Sequence, residues 1–300
     1  MTMKRVAVLM GGTSNERDVS LRSGGAVVRA LQAEGLEVVP VVLECDSIES
    51  LPRDIDAVFL ALHGGYGENG GVQQDLDQLS IPYTGPGAAA SRIAMDKIAT
   101  KKCLEAAKLP TPPYDVLTAQ MTCTMLQLPV VVKPPRDGSS VGISKVTEPS
   151  HWNDALAAAR AIDPDGEVLV EQYIPGREWT VSVIGGVALP VVEICAPNGW
   201  YGFTEKYTQG MTQYLFPEGA ENATLILTCQ KLAVQAFHAI GCRGVSRVDF
   251  RITPEGNPFI LEINTLPVLT ATSLLPKAAA RAGESFGALC LHLLKLAAHH

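Results

Sequence analysis

The sequence predicts an α/β unit followed by α+β units. Short, near-continuous apolar runs alternate with helical periodicity through the first part of the chain, the pattern of parallel strands buried on both faces. Beyond the breaker cluster Pro110-Thr111-Pro112-Pro113 the period changes and hairpin signals take over. With 300 residues, 47% hydrophobic and 18% charged, the chain can build two or three packed cores, which excludes a largely disordered protein.

Arg5–Met10 reads as a strand and Gly11-Gly12-Thr13-Ser14 as the turn after it. Asp18 is placed to cap a helix to about Glu34, with Val19, Ala26, Val27, Ala30 and Leu31 on one side. Val38–Leu43 and Ala57–Leu62 are further strands, the second running into the glycine-rich loop His63–Gly71. In a βαβ arrangement the functional loops lie where strands run out. Ala88–Lys108 reads as one helix ended by the proline cluster. Leu128–Lys133 and Ile143–Val146 are strands about the loop Gly138–Gly142, followed by a helix over Trp152–Ile162 and a strand over Glu167–Glu171. Trp179–Ile184 and Val187–Ile194 form a hairpin around Gly185-Gly186. The polar, glycine-spaced stretch Pro197–Pro217 has the length of a lid or of a disordered loop. A helix over Ala223–Ile240, strands Gly244–Arg251 and Pro258–Ile263, and one closing helix, Pro276–Ala298, complete the pattern.

A net charge of −7 argues against a nucleic-acid coat or a polybasic membrane anchor. The longest stretch without Asp, Glu, Lys or Arg, Val116–Val132, is too short and too polar to span a bilayer, so no membrane insertion is expected. The apolar run Val6–Met10 is too short for a secretory signal. The seven cysteines have no C-x-x-C spacing and read as reduced, mostly buried side chains of a cytoplasmic protein. His299-His300 reads as the stub of a tag and is left out of the functional reading.

Three motifs carry chemistry. Gly11–Ser14 could cradle a phosphate at a helix start, or be a plain βα turn. Gly138-Ser139-Ser140-Val141-Gly142 matches G-x-S-x-G, but a nucleophile elbow needs a helix after it, and Ile143–Val146 reads as strand. A loop whose amides fold over phosphates, with Lys133 beside it, suits the same residues better. Asp249 and Glu262 follow apolar stretches on either side of the turn Pro254–Asn257, which sets them nearly opposite in a hairpin. Two facing carboxylates repel unless neutralised. With Asn264 on the face of Glu262, they form an oxygen set suited to Mg²⁺. A salt-bridged surface hairpin with Arg247 and Arg251 explains the residues equally well.

Taken together, the motifs resemble the D-alanine–D-alanine ligases of the ATP-grasp superfamily. The resemblance rests on Leu9-Met10-Gly11-Gly12-Thr13-Ser14-Asn15-Glu16-Arg17-Asp18-Val19-Ser20, His63-Gly64-x-x-Gly67-Glu68-x-Gly70, Met95-Asp96-Lys97, Val132-Lys133-Pro134, Glu205-Lys206-Tyr207 and Glu262-x-Asn264-Thr265-x-Pro267-x-x-Thr270. It runs from about residue 5 to 297. It implies a three-domain ATP-grasp fold: a βαβ substrate domain (1–86), a central domain with the phosphate loop (87–174) and a C-terminal catalytic domain (175–300) with the lid at 197–217. It implies ATP and two Mg²⁺ ions, a role Mn²⁺ could also fill, D-alanine as substrate, and a homodimer.

The same resemblance implies the site residues. Asp249, Glu262 and Asn264 would hold the metal. Lys97, Lys133 and Lys206 would neutralise phosphates under the loop with Ser140. Glu171 and Glu178 would contact the adenosine, against Ile174. Glu16 would anchor the first alanine near His63, and Ser139 and Tyr207 would bridge the lid to Glu16. Arg247 would stabilise the transferring phosphate and the tetrahedral oxyanion, and Ser273 with the Leu274 amide would receive the second alanine. The family usually has a glycine where this chain has Val268. A β-branched residue cannot comfortably take φ > 0, yet Val268 retains its N–H, so a working enzyme is expected.

Overall fold

The computed structural model describes residues 3–138, 141–163, 165–197 and 211–299, which build three sheets. The first is parallel, β1 (Arg5–Gly11), β2 (Glu37–Leu43) and β3 (Ala57–Leu60) in the order β2-β1-β3. β1 is buried from Val6 onward and β3 throughout, as the apolar runs require. Helix α1 (Arg17–Ala33) returns across the sheet. The cap expected at Asp18 is corrected: Glu16 is the N-cap residue, with no side-chain capping bond, and Asp18 lies in the first turn, where its charge suits the helix dipole. After β3 come α2 (Gly65–Glu68) and α3 (Gly71–Gln78).

The single helix expected over Ala88–Lys108 is two, α4 (Ala88–Met95) and α5 (Lys97–Ala106). Asp96 leaves the helical region at ψ 102 and its Oδ1 accepts from the amides of Ile98 (2.9 Å) and Ala99 (3.0 Å), so a capping carboxylate restarts the helix. Ala90, Ala94 and Leu104 join the core of the third sheet, so these helices pack there rather than on the sheet that follows them in sequence.

That second sheet is antiparallel: β4 (Tyr114–Leu117), β5 (Val130–Lys133), β6 (Ser144–Val146) and β7 (Val168–Gln172), in the order β4-β7-β5-β6, with α6 (Trp152–Arg160) on one face. β4, four residues directly after the proline cluster, carries no sequence signal of its own. β5 and β6 pair antiparallel about the Gly138–Gly142 loop, a strand–loop–strand arrangement that removes the nucleophile-elbow alternative.

The third sheet holds β8 (Arg177–Ile184), β9 (Val187–Ala188), β10 (Val192–Cys195), β11 (Gln213–Leu215), β12 (Val245–Ile252) and β13 (Pro258–Asn264). The strand expected over Val187–Ile194 is interrupted at Pro190, which cannot donate to a ladder: β9 pairs with one end of β8 and β10 with the other. The stretch expected as lid, Pro197–Pro217, ends in strand, since Gln213–Leu215 pairs with β10; residues 198–210 lie outside the described residues.

Trp179, Val181, Val183, Val248, Phe250 and Ile252 pack under α7 (Ala220–Ala239), leaving Glu178, Thr180, Ser182, Arg247, Asp249 and Arg251 on the other face. The closing helix is also two, α8 (Leu274–Arg281) and α9 (Phe286–Lys295), parted at Gly283 (φ 86) and recapped by Ser285, whose Oγ accepts from the Ala288 amide. Leu289 and Leu293 of α9 pack with Val6, Val8 and Val27, so the end of the chain shares the core of the first sheet. The described cysteines are all free; only Cys229, Cys242 and Cys290 are buried, which corrects the expectation that most would be. No helix of the described residues is long and apolar enough to cross a membrane.

Candidate active site

The C-terminal edge of the first sheet gathers two loops. Ser20 Oγ accepts from the Gly11 amide (2.8 Å) and donates to Ala61 O (2.7 Å), tying the turn after β1 to the end of β3. Ser14 Oγ donates to His63 O (2.5 Å). Gly11 is at φ 86, and a Cβ there would sit 2.9 Å from Leu43 O, so only glycine fits this turn. At Gly64 a Cβ would come within 3.1 Å of Glu16 Oε2, and at Gly138 within 3.6 Å. The loop from the second sheet therefore reaches the carboxylate that starts α1.

The chain after β13 closes this corner. The Leu266 backbone bonds to both His63 and Glu68, and Ser23 Oγ lies 3.0 Å from His63 Nε2 while accepting from the Leu269 amide at 3.4 Å. Burial pushes His63 down to about 4, against the opposing field of Glu16, so the ring is neutral near pH 7. Burial, then repulsion by Glu16, pushes Glu68 up to about 7, although its Oε2 accepts from the Gly64 amide at 2.7 Å.

These shifts give opposed pH dependences. Between about 4.5 and 7 the folded chain keeps a proton on Glu68 that the unfolded chain has released, so this group makes stability fall as pH rises. Between about 4 and 6.5 the unfolded chain protonates its histidine and the folded chain does not, so His63 makes stability rise with pH. Urea midpoints measured across this range should rise more steeply with pH in Glu68→Gln than in the parent, and fall with pH in His63→Gln relative to the parent. Equal slopes in all three proteins would remove both assignments.

The polar face of the third sheet forms a second cluster. Asp249 pairs in register with Glu262, and Arg247 with Asn264; a bulge beyond Asp249 leaves Leu261 as the extra residue. Arg247 grips Asp249 with Nε to Oδ1 (2.9 Å) and NH2 to Oδ2 (2.8 Å), and Asn264 Nδ2 donates to Oδ2 at 3.0 Å. Thr180 Oγ1 donates to Oδ1. The salt-bridged alternative is thus partly realised, on a buried face rather than a surface, since Asp249 and Arg251 are each 6% exposed. Two carboxylates and an amide oxygen make a hard-oxygen set that fits Mg²⁺. Among the described residues no group of three or more His, Cys, Asp or Glu side chains is placed to hold a metal ion, this face with its two carboxylates included.

The second sheet carries Lys133 and Glu171, and α5 begins at Lys97. Lys97 Nζ donates to Asp137 O and its amide to Pro135 O (2.9 Å), which pins the loop before Gly138 to the start of α5. Arg136 strengthens that attachment through Asp96 (3.1 Å) and the buried Asp163 (3.2 Å). Glu171, 2% exposed, makes ion pairs with Lys133 and with Lys101. Burial alone would raise its carboxyl, but the two ammonium groups hold it below the usual range. Ile174 O accepts from Arg251 Nε (3.1 Å), and Glu178 pairs with Arg251 NH1 (3.2 Å). Ser273 is the N-cap residue of α8 without a side-chain capping bond, its Oγ instead 2.6 Å from Thr270 Oγ1, with the Leu274 amide at the helix start. Ser139, Ser140, Lys206 and Tyr207 lie outside the described residues.

Two families match: the one described as D-ala D-ala ligase N-terminus over residues 5–48, and D-ala D-ala ligase C-terminus over residues 104–295. The D-alanine–D-alanine ligase of Pelotomaculum thermopropionicum is 44% identical, covering 99% of this chain and 97% of its own. The chain belongs to the D-alanine–D-alanine ligase family. The ligase of Syntrophotalea carbinolica is 45% identical over 98% of this chain and 96% of its own. Two crystal structures of the Bacillus anthracis ligase, one complexed with ATP, superpose at a TM-score of 0.86 with 33% and 32% identity, each covering 98% of this chain and 97% of theirs.

The fold is therefore the ATP-grasp fold of these ligases. Their usual glycine is not needed for backbone reasons at Val268. Among the described residues only Ser80 and Lys108 take positive φ without being glycine, so Val268 sits half-buried in an ordinary conformation. Sequence reasoning missed Lys101 and Arg136, gave Glu68 no role beyond its motif, and offered Arg251 as a partner in the Asp249–Glu262 hairpin, whereas it pairs with Glu178 and Ile174 O. Lys101 is one helical turn from Lys97, and Arg251 two residues from Asp249 on the same strand face, which was the available signal.

Proposed function

We propose that the chain joins two D-alanine molecules into D-alanyl-D-alanine, converting ATP to ADP and phosphate through a D-alanyl phosphate, in the cytoplasm and for peptidoglycan precursors. What supports this most is the polar face carrying Arg247, Asp249, Glu262 and Asn264, whose Arg247 charge is felt at His63 beside Glu16, and whose Arg251 meets the chain just after the Glu171–Lys133 pair. The reading retains three units, 1–86, 87–174 and 175–300, with the nucleotide between the last two.

A carboxylate is a poor electrophile. Its oxygen first attacks the γ-phosphorus, the bond to the β-phosphate oxygen breaks, and ADP leaves. The second alanine's free amine then attacks the acyl carbon, and the tetrahedral intermediate expels phosphate as the nitrogen loses its proton. Glu16 would hold the first ammonium beside the neutral His63. Lys97 and Lys133 would neutralise phosphate oxygens, with Lys206 and the Ser140 loop. Arg247 would turn to the transferring phosphate and the oxyanion, and Ser273 with the Leu274 amide would take the second carboxylate at the start of α8. Ser139 and Tyr207 would tie the lid to Glu16 and exclude water from the acyl phosphate. Glu171, Ile174 and Glu178 would line the adenosine. Asp249, Glu262 and Asn264 would hold Mg²⁺, or Mn²⁺ in its place, which when bound supplies neutralisation of the phosphate charge.

The test is phosphate release with ATP and Mg²⁺, comparing D-alanine, L-alanine, and D-alanine with D-lactate, products identified by mass. Release that needs only D-alanine and yields its dipeptide supports the reading; release only with D-lactate, or none, overturns it. Light scattering tests the homodimer that the resemblance adds. Val268→Gly should change turnover by less than about threefold and lower Tm by about 1–3 °C, because glycine gains freedom in the unfolded chain without relieving strain. A large gain in turnover would show that the valine side chain obstructs the site.

A further inference from the structure

Lys101 has no part in the reaction as proposed above, yet its side chain is 1% exposed, and a buried lysine is costly unless something requires it. Its ammonium makes an ion pair with Glu171 Oε1 while Lys133 holds Oε2. Its hydrogen bonds run to Thr111 Oγ1 (2.7 Å) and Pro112 O (3.4 Å), and it lies 5.3 Å from the centre of the Tyr114 ring. Thr111 Oγ1 in turn donates to Ile260 O (2.9 Å), and the Ile260 amide donates to Pro110 O (2.9 Å). Ile260 lies two residues before Glu262 on β13. A continuous chain of contacts thus runs from Lys133 through Glu171, Lys101 and Thr111 to the strand that carries Glu262 and Asn264.

We propose that Lys101 is the positioning residue of Glu171: it keeps that carboxylate ionised and fixed relative to β13 when Lys133 turns to the nucleotide's phosphates. This inference rests on the proposed function, in which Lys133 meets phosphate and Glu171 lines the adenosine; an ionised carboxylate only accepts, and the exocyclic amino group is the N–H donor that adenine offers. A single lysine could not do both, because its departure would leave a carboxylate buried without a countercharge. Two lysines divide the work: Lys133 exchanges partners, and Lys101, anchored by Thr111, does not.

The readout is base discrimination. ATP presents an exocyclic amino group to Glu171 and ITP presents a carbonyl, so a fixed carboxylate favours ATP and a displaced or neutral one does not. In Lys101→Met the KM for ATP should rise at least tenfold, the KM for ITP less than about threefold, and kcat at saturation should stay within about threefold. Lys101→Arg, which keeps the cation, should keep most of the ATP preference. The double variant Lys101→Met/Glu171→Gln, which removes both charges and protects against failure to fold, should discriminate no worse than Glu171→Gln alone. Equal losses for ATP and ITP in Lys101→Met, or an additive loss in the double variant, would make Lys101 merely structural and overturn the proposal. If the parent shows no ATP preference, or Glu171→Gln leaves it intact, the adenine role of Glu171 fails instead, and this inference fails with it. Preference lost in Glu171→Gln but kept in Lys101→Met overturns the inference alone.

Discussion

Arg247→Met should lower turnover by about 10²–10³-fold, the loss expected when a preorganised charge aimed at a developing oxyanion is removed. The other arginine on the same strand face cannot substitute, because Arg251 is tied to Ile174 O, Glu178 and Tyr173 OH. The substitution should also reduce stability. Arg247 grips both oxygens of Asp249, and without it that carboxylate faces Glu262 across the hairpin with its main countercharge gone. Breaking a buried pair in this way costs about 3 kcal/mol. Mg²⁺ added without nucleotide should recover part of that loss by taking the place of the guanidinium. Arg247→Lys separates the two effects: a point charge restores some stability, but it lacks the fork that meets two oxygens at once, so turnover should stay at least tenfold down. Phosphate release and urea unfolding measure the two quantities. Turnover within threefold of the parent in Arg247→Met would remove the residue from the chemistry.

This prediction draws on a part of the site that was readable from the sequence. Alternation on β12 and β13 placed Asp249 opposite Glu262 and put Glu262 with Asn264 on one face, and the register agrees. Strand alternation is a local property, so it survives into the fold. The two helices divided at Asp96 and at Gly283 were read as single because apolar periodicity continued across each break, while the capping residue that restarts each helix is one side chain among many. β4 and β11 were not legible for a different reason: strands of four and three residues carry too little pattern, and the neighbouring strands decide that they pair. Helical spacing puts Lys101 one turn from Lys97, but its ion-pair chain was not legible in the sequence. Its members lie on β5, β7, α5, the Pro110–Pro112 segment and β13, and only the packing of α5 against the third sheet brings them together. Asp249 and Glu171 show the same device twice. Each carboxylate proposed to serve the nucleotide is held by a cation proposed to serve the phosphates.

That device makes the last prediction one of opposite signs. In Glu262→Gln the hairpin keeps its shape and its oxygen, but Asp249 no longer faces a second negative charge. Removing a like charge from a half-buried pair is neutral or favourable to folding, so Tm should stay unchanged or rise by a few degrees. Activity should move the other way. A neutral amide is a far poorer partner than a carboxylate for a hard divalent cation, so turnover should fall by about 10²-fold or more at ordinary Mg²⁺ and recover partly as the ion is raised. A residue serving only the fold would lose stability and activity together. A carboxylate retained for metal at the expense of the empty fold must separate them, and thermal melts beside a Mg²⁺ titration of phosphate release show which holds. A fall in Tm with turnover unchanged would return the Asp249–Glu262 pair to an ordinary hairpin.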